Sequence, residues 1–213
     1  MARTPTVSDQ VILEAAGNVM RQRGVDSFTL AEVAKTVGLS RAALILRFTS
    51  TQALKVRLLK QMVERFAGLL DQLPTTPGGD SLLALAAFIG RHANTRSSSA
   101  SFWTAHHSNL NDPELAALEI ERGLIMRRAI SRMMPPTRID HASAVAAFNA
   151  HLAGSLLAML AETGAEPYEY LVGRTREWLR LADIPFNDLP DEQASKHVSS
   201  NQAISNEQAV VDP

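Results

Sequence analysis

The sequence predicts an all-α protein, with a small helical head at the N-terminus and a longer helical body behind it. Three observations carry this. Apolar residues recur at i, i+3, i+4 and i+7, and no segment sustains the period-2 alternation of a strand. Pro and Gly punctuate the apolar stripes at intervals suited to helix ends. Charge also divides unevenly: residues 1–60 carry net +5 and residues 61–213 net −6. A basic head on an acidic body is expected when only the head meets phosphate.

The elements follow in order. Ser8 caps a first helix from about Asp9 to Arg23, with Ile12, Ala15, Ala16, Val19 and Met20 on one face and Gly24 as its stop. Thr29–Leu30–Ala31–Glu32 is a capping box that opens a second helix, whose buried face is Leu30, Val33, Ala34 and Val37. Gly38 closes it, Leu39 bridges a short turn, and Ser40 caps a third helix over Arg41–Arg47, where Leu44 and Phe48 pair at i, i+4. Thr49–Ser50–Thr51–Gln52 is a second capping pattern. It opens a long fourth helix carrying Leu54, Leu58, Met62 and Phe66 and ending near Pro74.

After the loop 74–80, a fifth helix is expected from about Ser81 to Asn94. The Ser-rich stretch 95–101 reads as irregular, followed by a short helix around Phe102–Leu110. Asp112–Pro113 starts a helix that runs to Met134 and stops at Pro135–Pro136. Another runs from about Asp140 to Thr163, and Pro167 opens the last, which reaches Ala182. From residue 185 apolar residues thin out, and 185–213 reads as a disordered tail. The expected division is 1–48, 49–184 and 185–213.

Composition narrows the function. Hydrophobic residues make up 46% and charged residues 20%, enough for a packed core. The absence of cysteine excludes disulfides, thiolate metal sites and cysteine nucleophiles. No secretory leader or uninterrupted apolar run of about 18 residues is seen, so a soluble cytoplasmic protein without a membrane partner is expected. GxSxG, HExxH, P-loop and Rossmann fingerprints are absent, and no enzyme, cofactor or metal is predicted. His106–His107 is the one His pair, and adjacent helical residues diverge by roughly 100°.

Thr29–Phe48, two short helices joined by a tight Gly-containing turn, has the form of a helix-turn-helix, whose second helix enters the DNA major groove. The wider stretch 10–58 resembles the DNA-binding domain of the tetracycline-repressor (TetR) family. The likeness runs through Ile12–Leu13–Glu14–Ala15–Ala16, Arg23–Gly24, Phe28–Thr29, Val33–Ala34, Val37–Gly38–Leu39–Ser40, Leu44, Phe48, Ser50, Ala53 and Leu54. It implies a ligand-responsive, homodimeric regulator, most often a repressor, acting on a double-stranded DNA operator. Thr29 and Ser40 would bind phosphate as well as cap. Arg41, Ala42 and Ala43 would front the recognition helix, with Arg41 either gripping guanine or clamping phosphate. Arg47 would reach phosphate, and Lys35, Lys55 and Arg57 would keep the surface positive.

Two positions depart from the family. Ile45 stands where Tyr is usual and Thr51 where Lys is frequent, which removes two phosphate contacts per half-site. Ile45 and Leu46 contact thymine methyls, contact each other, or mark weakened DNA binding. The alternative function is a TetR-like dimer that has lost sequence-specific DNA binding and acts through protein or ligand interaction.

For the body, the resemblance implies a homodimer through the last two helices. Ala142, Ala146, Ala150, Ala153 and Gly154 would take part with Val145, Leu152, Leu156, Met159 and Leu160, joined by Tyr168, Leu171, Val172, Trp178 and Leu179. The alternative is that these stripes are intrachain core. The resemblance also implies a small-molecule effector pocket, for which Phe88, His92, Phe102, Trp103, His106, Met126 and Met133 are the candidate lining.

Overall fold

A computed structural model describes residues 7–23 and 28–187. Among the described residues there are nine helices and no strand: α1 (Asp9–Arg23), α2 (Leu30–Thr36), α3 (Arg41–Phe48), α4 (Thr51–Leu70), α5 (Gly79–Ala93), α6 (Arg96–Asn109), α7 (Pro113–Met133), α8 (His141–Met159) and α9 (Pro167–Leu181). The all-α expectation therefore holds, and most starts lie at the predicted caps. Ser8, Thr29, Ser40, Ser50, Asp112 and Asp140 each accept a backbone N–H of the helix they precede.

The head is α1–α3 with the first turns of α4. Ile12, Ala16, Val33, Leu44, Phe48 and Leu54 close a core of its own. The body core lies among α5, α7, α8 and α9, around Leu82, Leu85, Ile130, Met133, Phe148 and Leu171. A third, smaller cluster of Leu59, Val63 and Leu115 joins α4 to α7. Helix α4 thus supplies Leu54 and Leu58 to the head, Leu59 and Val63 to the seam and Leu70 to the body.

The predicted α4 stripe fails in its second half: Met62 is exposed and Phe66 only partly buried. Each i+4 step overshoots a full turn by roughly 40°, so a stripe taken every fourth residue drifts off the packed face. Helix α6 is the larger correction. It begins at Arg96, so most of the Ser-rich stretch is helical. Thr95 caps it by accepting from Ser98 N, Ser99 is buried, and Arg96 donates to the carbonyls of Met159, Leu160 and Glu162 at the end of α8.

Two glycines permit close approach in the body. A Cβ on Gly90 would lie 2.7 Å from Tyr168 Cα, so α5 and α9 pack backbone to backbone there. A Cβ on Gly79 would lie 2.4 Å from the Pro185 carbonyl. Residues 185–187, placed in the tail by sequence, are seated: Phe186 packs on the body core and Asn187 N–H donates to Asp80. Residues 188–213 lie outside the described residues.

Helix α8 is long and apolar enough to cross a membrane by length and composition, and about a third of it is buried in the chain. It also carries Asn149, His151 and Ser155. Val145, Leu152, Met159, Leu171, Val172 and Leu179 turn inward. All but Met159 belong to the body core, so this part of the expected dimer surface is occupied within one chain. Ala142, Ala146, Ala147, Ala150, Gly154 and Leu157 remain outward.

Candidate nucleic-acid interface and cavity

The head presents α3 through a tightly specified turn. Helix α2 ends at Gly38, whose φ of 67° is left-handed, while Leu39 N–H bonds back to the Ala34 carbonyl. Space is open around Gly38, so backbone conformation and not crowding calls for glycine. Ser40 Oγ then accepts from Ala43 N at 3.1 Å and starts α3. At the far end Thr49 has φ 61° and ψ −47°, and Ser50 N–H bonds to the Phe48 carbonyl across it. This three-residue turn is a strained form for a β-branched residue. It lets α4 begin immediately after α3.

Leu44 and Phe48 anchor the inner side of α3. Arg41, Ala42, Ile45 and Leu46 are exposed, and their i, i+1, i+4, i+5 spacing puts them on one outward face. Leu46 is 86% exposed, far more than an ordinary packed leucine. Among the described residues no carboxylate pairs with Arg41. Ala43 is half-buried beside this face, and Thr51 is half-buried in the first turn of α4. Thr29 and Lys35 are exposed on α2, with Thr29 Oγ1 accepting from Glu32 N at 3.3 Å.

Arg47 is placed differently. Its guanidinium turns back to donate to the Val7 carbonyl and lies 3.6 Å from Asp9. Arg57 also reaches Asp9, at 3.1 Å, and sits over the Phe48 ring. These two arginines tie the start of α1 to α3 and α4. Lys55 lies over the Phe28 ring. Of the basic residues proposed for phosphate, Lys35 and Arg41 are the ones projecting outward without such a tie.

The seven pocket candidates do not share one site. Met133 is fully buried in the body core, and Met126 packs against that core. The Phe88 and His92 rings meet along α5, tilted by 40° with centroids 4.0 Å apart. Phe102, Trp103 and His106 form an aromatic run on α6, and Phe102 and His106 line a small cavity of about 50 Å³. That cavity lies where α1 and α4 face α6 and α7, with Met20, Lys55 and Met62 on the head side.

Its polar wall escaped the sequence reading. Glu119, 2% exposed at its side chain, pairs with Arg122 at 2.5 Å. Its other oxygen accepts from Asn109 Nδ2 at 2.7 Å. His106 Nδ1 lies 2.9 Å from Glu119 and 3.0 Å from Arg122, and it accepts from the guanidinium in the tautomer that leaves Nδ1 unprotonated. Arg122 also covers the Phe102 ring at 4.5 Å. Burial pushes the Arg122 pKa down, and Glu119 offsets part of that. The available signal was the i, i+3 pairs His106/Asn109 and Glu119/Arg122, which ordinarily mark solvated faces. On the inner side of α6, Ser99 Oγ and Trp103 Nε1, one turn apart, are buried without a hydrogen-bond partner among the described residues. Among the described residues no three His, Asp or Glu gather as a metal site would require.

A capped helix-turn-helix on a separate core, joined to a larger helical body by a shared helix, defines a class of DNA-binding regulator. Residues 12–58 match the family described as bacterial regulatory proteins, tetR family. The head is therefore similar to the DNA-binding domain of that family over these residues. No curated protein matches the chain.

Among solved structures, the chain is similar to a transcriptional regulator from Rhodococcus sp. Rha1, at 16% identity and TM-score 0.71, over 85% of this chain and 100% of that one. It is also similar to a TetR transcriptional regulator from Legionella pneumophila, at 14% identity and TM-score 0.64, over 84% and 100%. The multidrug binding protein EbrR complexed with imidazole aligns at 22% identity and TM-score 0.61, over 84% and 96%. At these identities the likeness establishes the shared fold.

Proposed function

We propose that the protein is a homodimeric transcriptional repressor of the bacterial cytoplasm, released from its operator by a small molecule. The observation that carries this reading is the outward face of α3. It is offered to solvent from a net-positive head, next to exposed Lys35 and the helix N-termini at Thr29 and Ser40. One such head makes few contacts, and a two-fold partner would place a second α3 one DNA turn away, roughly 34–36 Å. The partner surface is the small-residue side of α8, where Ala142, Ala146, Ala150 and Gly154 let two backbones approach, with exposed Leu157 at the end.

The effector reading rests on the cavity beside α4 and on the unpartnered Ser99 and Trp103 groups of α6. At about 50 Å³ the cavity is smaller than drug-sized sites of roughly 300 Å³ and above, so an effector must displace side chains to enter. Phe102 and Met62 stand at its exposed margin. EbrR, which shares the fold, holds imidazole in its solved structure.

The test is a DNA-binding titration of the full chain on the segment upstream of its own gene, across a salt series, beside Arg41→Ala. Tight binding that weakens with salt and falls in the variant is expected. Exposed Ile45 and Leu46 favour the alternative of a dimer that has lost DNA binding. Indifference to sequence, or equal binding by the variant, would sink the assignment of α3 as the reading helix and bring that alternative to the front.

A further inference from the structure

We infer that this head reads its operator mainly through the methyl groups of thymines, with Arg41 supplying the one hydrogen-bonded base contact that the outward face of α3 offers. The inference rests on the DNA-binding reading above and specifies what that surface recognises. Four side chains make up the outward face of α3, and three of them, Ala42, Ile45 and Leu46, have neither donor nor acceptor. Half-buried Ala43 adds none. Arg47, the other cation of the helix, is committed to Val7 and Asp9. No Asn, Gln, Ser, Asp or Glu occurs between Arg41 and Phe48.

In the major groove adenine, guanine and cytosine offer polar edges only, while thymine adds a C5-methyl group. A leucine 86% exposed in the free protein gains by covering that methyl. Covering a polar edge instead strips water from it and returns no hydrogen bond. The same apolar face therefore selects thymine and rejects the other bases. Arg41, at the first position of α3, is placed to take the O6 and N7 of a guanine. The half-site expected is one G·C pair followed by steps that present thymine methyls on the strand beneath Ile45 and Leu46.

The test uses the full-length protein. Sites are first selected from random duplex DNA, and each thymine of the selected half-site is then replaced by deoxyuridine, which removes the methyl and keeps every hydrogen-bonding group. We expect selected half-sites to carry a guanine beside thymines. Each methyl beneath the apolar face should be worth about fourfold in affinity. Leu46→Ala, a surface change that should leave helicity intact, should abolish the response at its own thymine, while Arg41→Ala relaxes the guanine preference and leaves the uridine effects in place. Tight sequence-specific binding unchanged by uridine at every position overturns this inference and leaves the DNA-binding reading standing. A uridine effect equally large in Leu46→Ala and Ile45→Ala overturns it too, because it then arises from DNA stiffness. Failure to enrich any sequence overturns the DNA-binding reading, and this inference falls with it.

Discussion

Replacing Glu119 with alanine should destabilise the protein more than any other single change to a charged group in the cavity wall. The Glu119 side chain is 2% exposed and that of Arg122 18%, so neither charge is solvated by bulk water. One carboxylate holds three neighbours: Arg122 at 2.5 Å, His106 at 2.9 Å and Asn109 at 2.7 Å. Its removal leaves a guanidinium whose burial already works against its charge. Breaking a buried pair in this way costs about 3–5 kcal/mol. Arg122 lies on Phe102, which is 38% exposed and gives the guanidinium a route toward water. The expected loss is therefore at the low end, about 3 kcal/mol, or about 6–12 °C in Tm for a chain of this length.

Removing both charges behaves differently. Glu119→Met with Arg122→Met discards the desolvation cost along with the attraction, leaves only Asn109 and His106 short of a partner, and should be about 1–2 kcal/mol more stable than Glu119→Ala. Urea denaturation followed by far-UV circular dichroism, at one fixed protein concentration, compares the variants. A single variant that loses less than about 1 kcal/mol, or a double variant as unstable as the single, would refute the account of Glu119 as the partner of a buried charge.

Four further outcomes follow from the packing. Gly90→Ala should lose about 2 kcal/mol, because its Cβ meets the Tyr168 backbone at 2.7 Å; Gly123→Ala, with nothing within 4 Å and a mid-helix position, should gain about 0.5–1 kcal/mol in the same denaturation series. Arg96→Met removes the donors to three carbonyls at the end of α8 and should cost about 1–2 kcal/mol, with Arg96→Lys recovering only part because it lacks the planar fork. His151, packed on Trp178 and near Thr175, has its pKa lowered by burial and then by Arg174. The unfolded chain therefore takes up a proton that the fold resists, so stability should decline as pH falls below about 6.5, and His151→Gln should flatten that part of the Tm–pH profile.

The head was legible because its signals are local. Capping hydroxyls at Thr29, Ser40 and Ser50 and the left-handed Gly38 act within a few residues, and the structure puts each helix start where those residues place it. The body depended on what a helix meets. Serines 97–99 have weak helix preference, and α6 forms over them because Thr95 caps it and Arg96 finds carbonyls more than sixty residues away. Leu152 and Leu171 gave the right periodicity, but an apolar stripe does not say whether its partner lies in the same chain. The cavity wall was least visible. Glu119 and His106 belong to different helices, and only their packing turns two surface-like patterns into a buried network.

Helix α4 runs unbroken through 20 residues, with Leu54 fixed in one core and Leu70 in the other. At about 1.5 Å per residue it is a rod of roughly 30 Å. Pivoting such a rod by about 6° at its C-terminal clamp swings the other end through roughly 3 Å, nearly the ~3.4 Å spacing of successive bases along a strand. Leu59, on the cavity wall, sits a little over halfway along the rod from Leu70, so a pivot that displaced it by about 2 Å would carry the head end through about 3 Å.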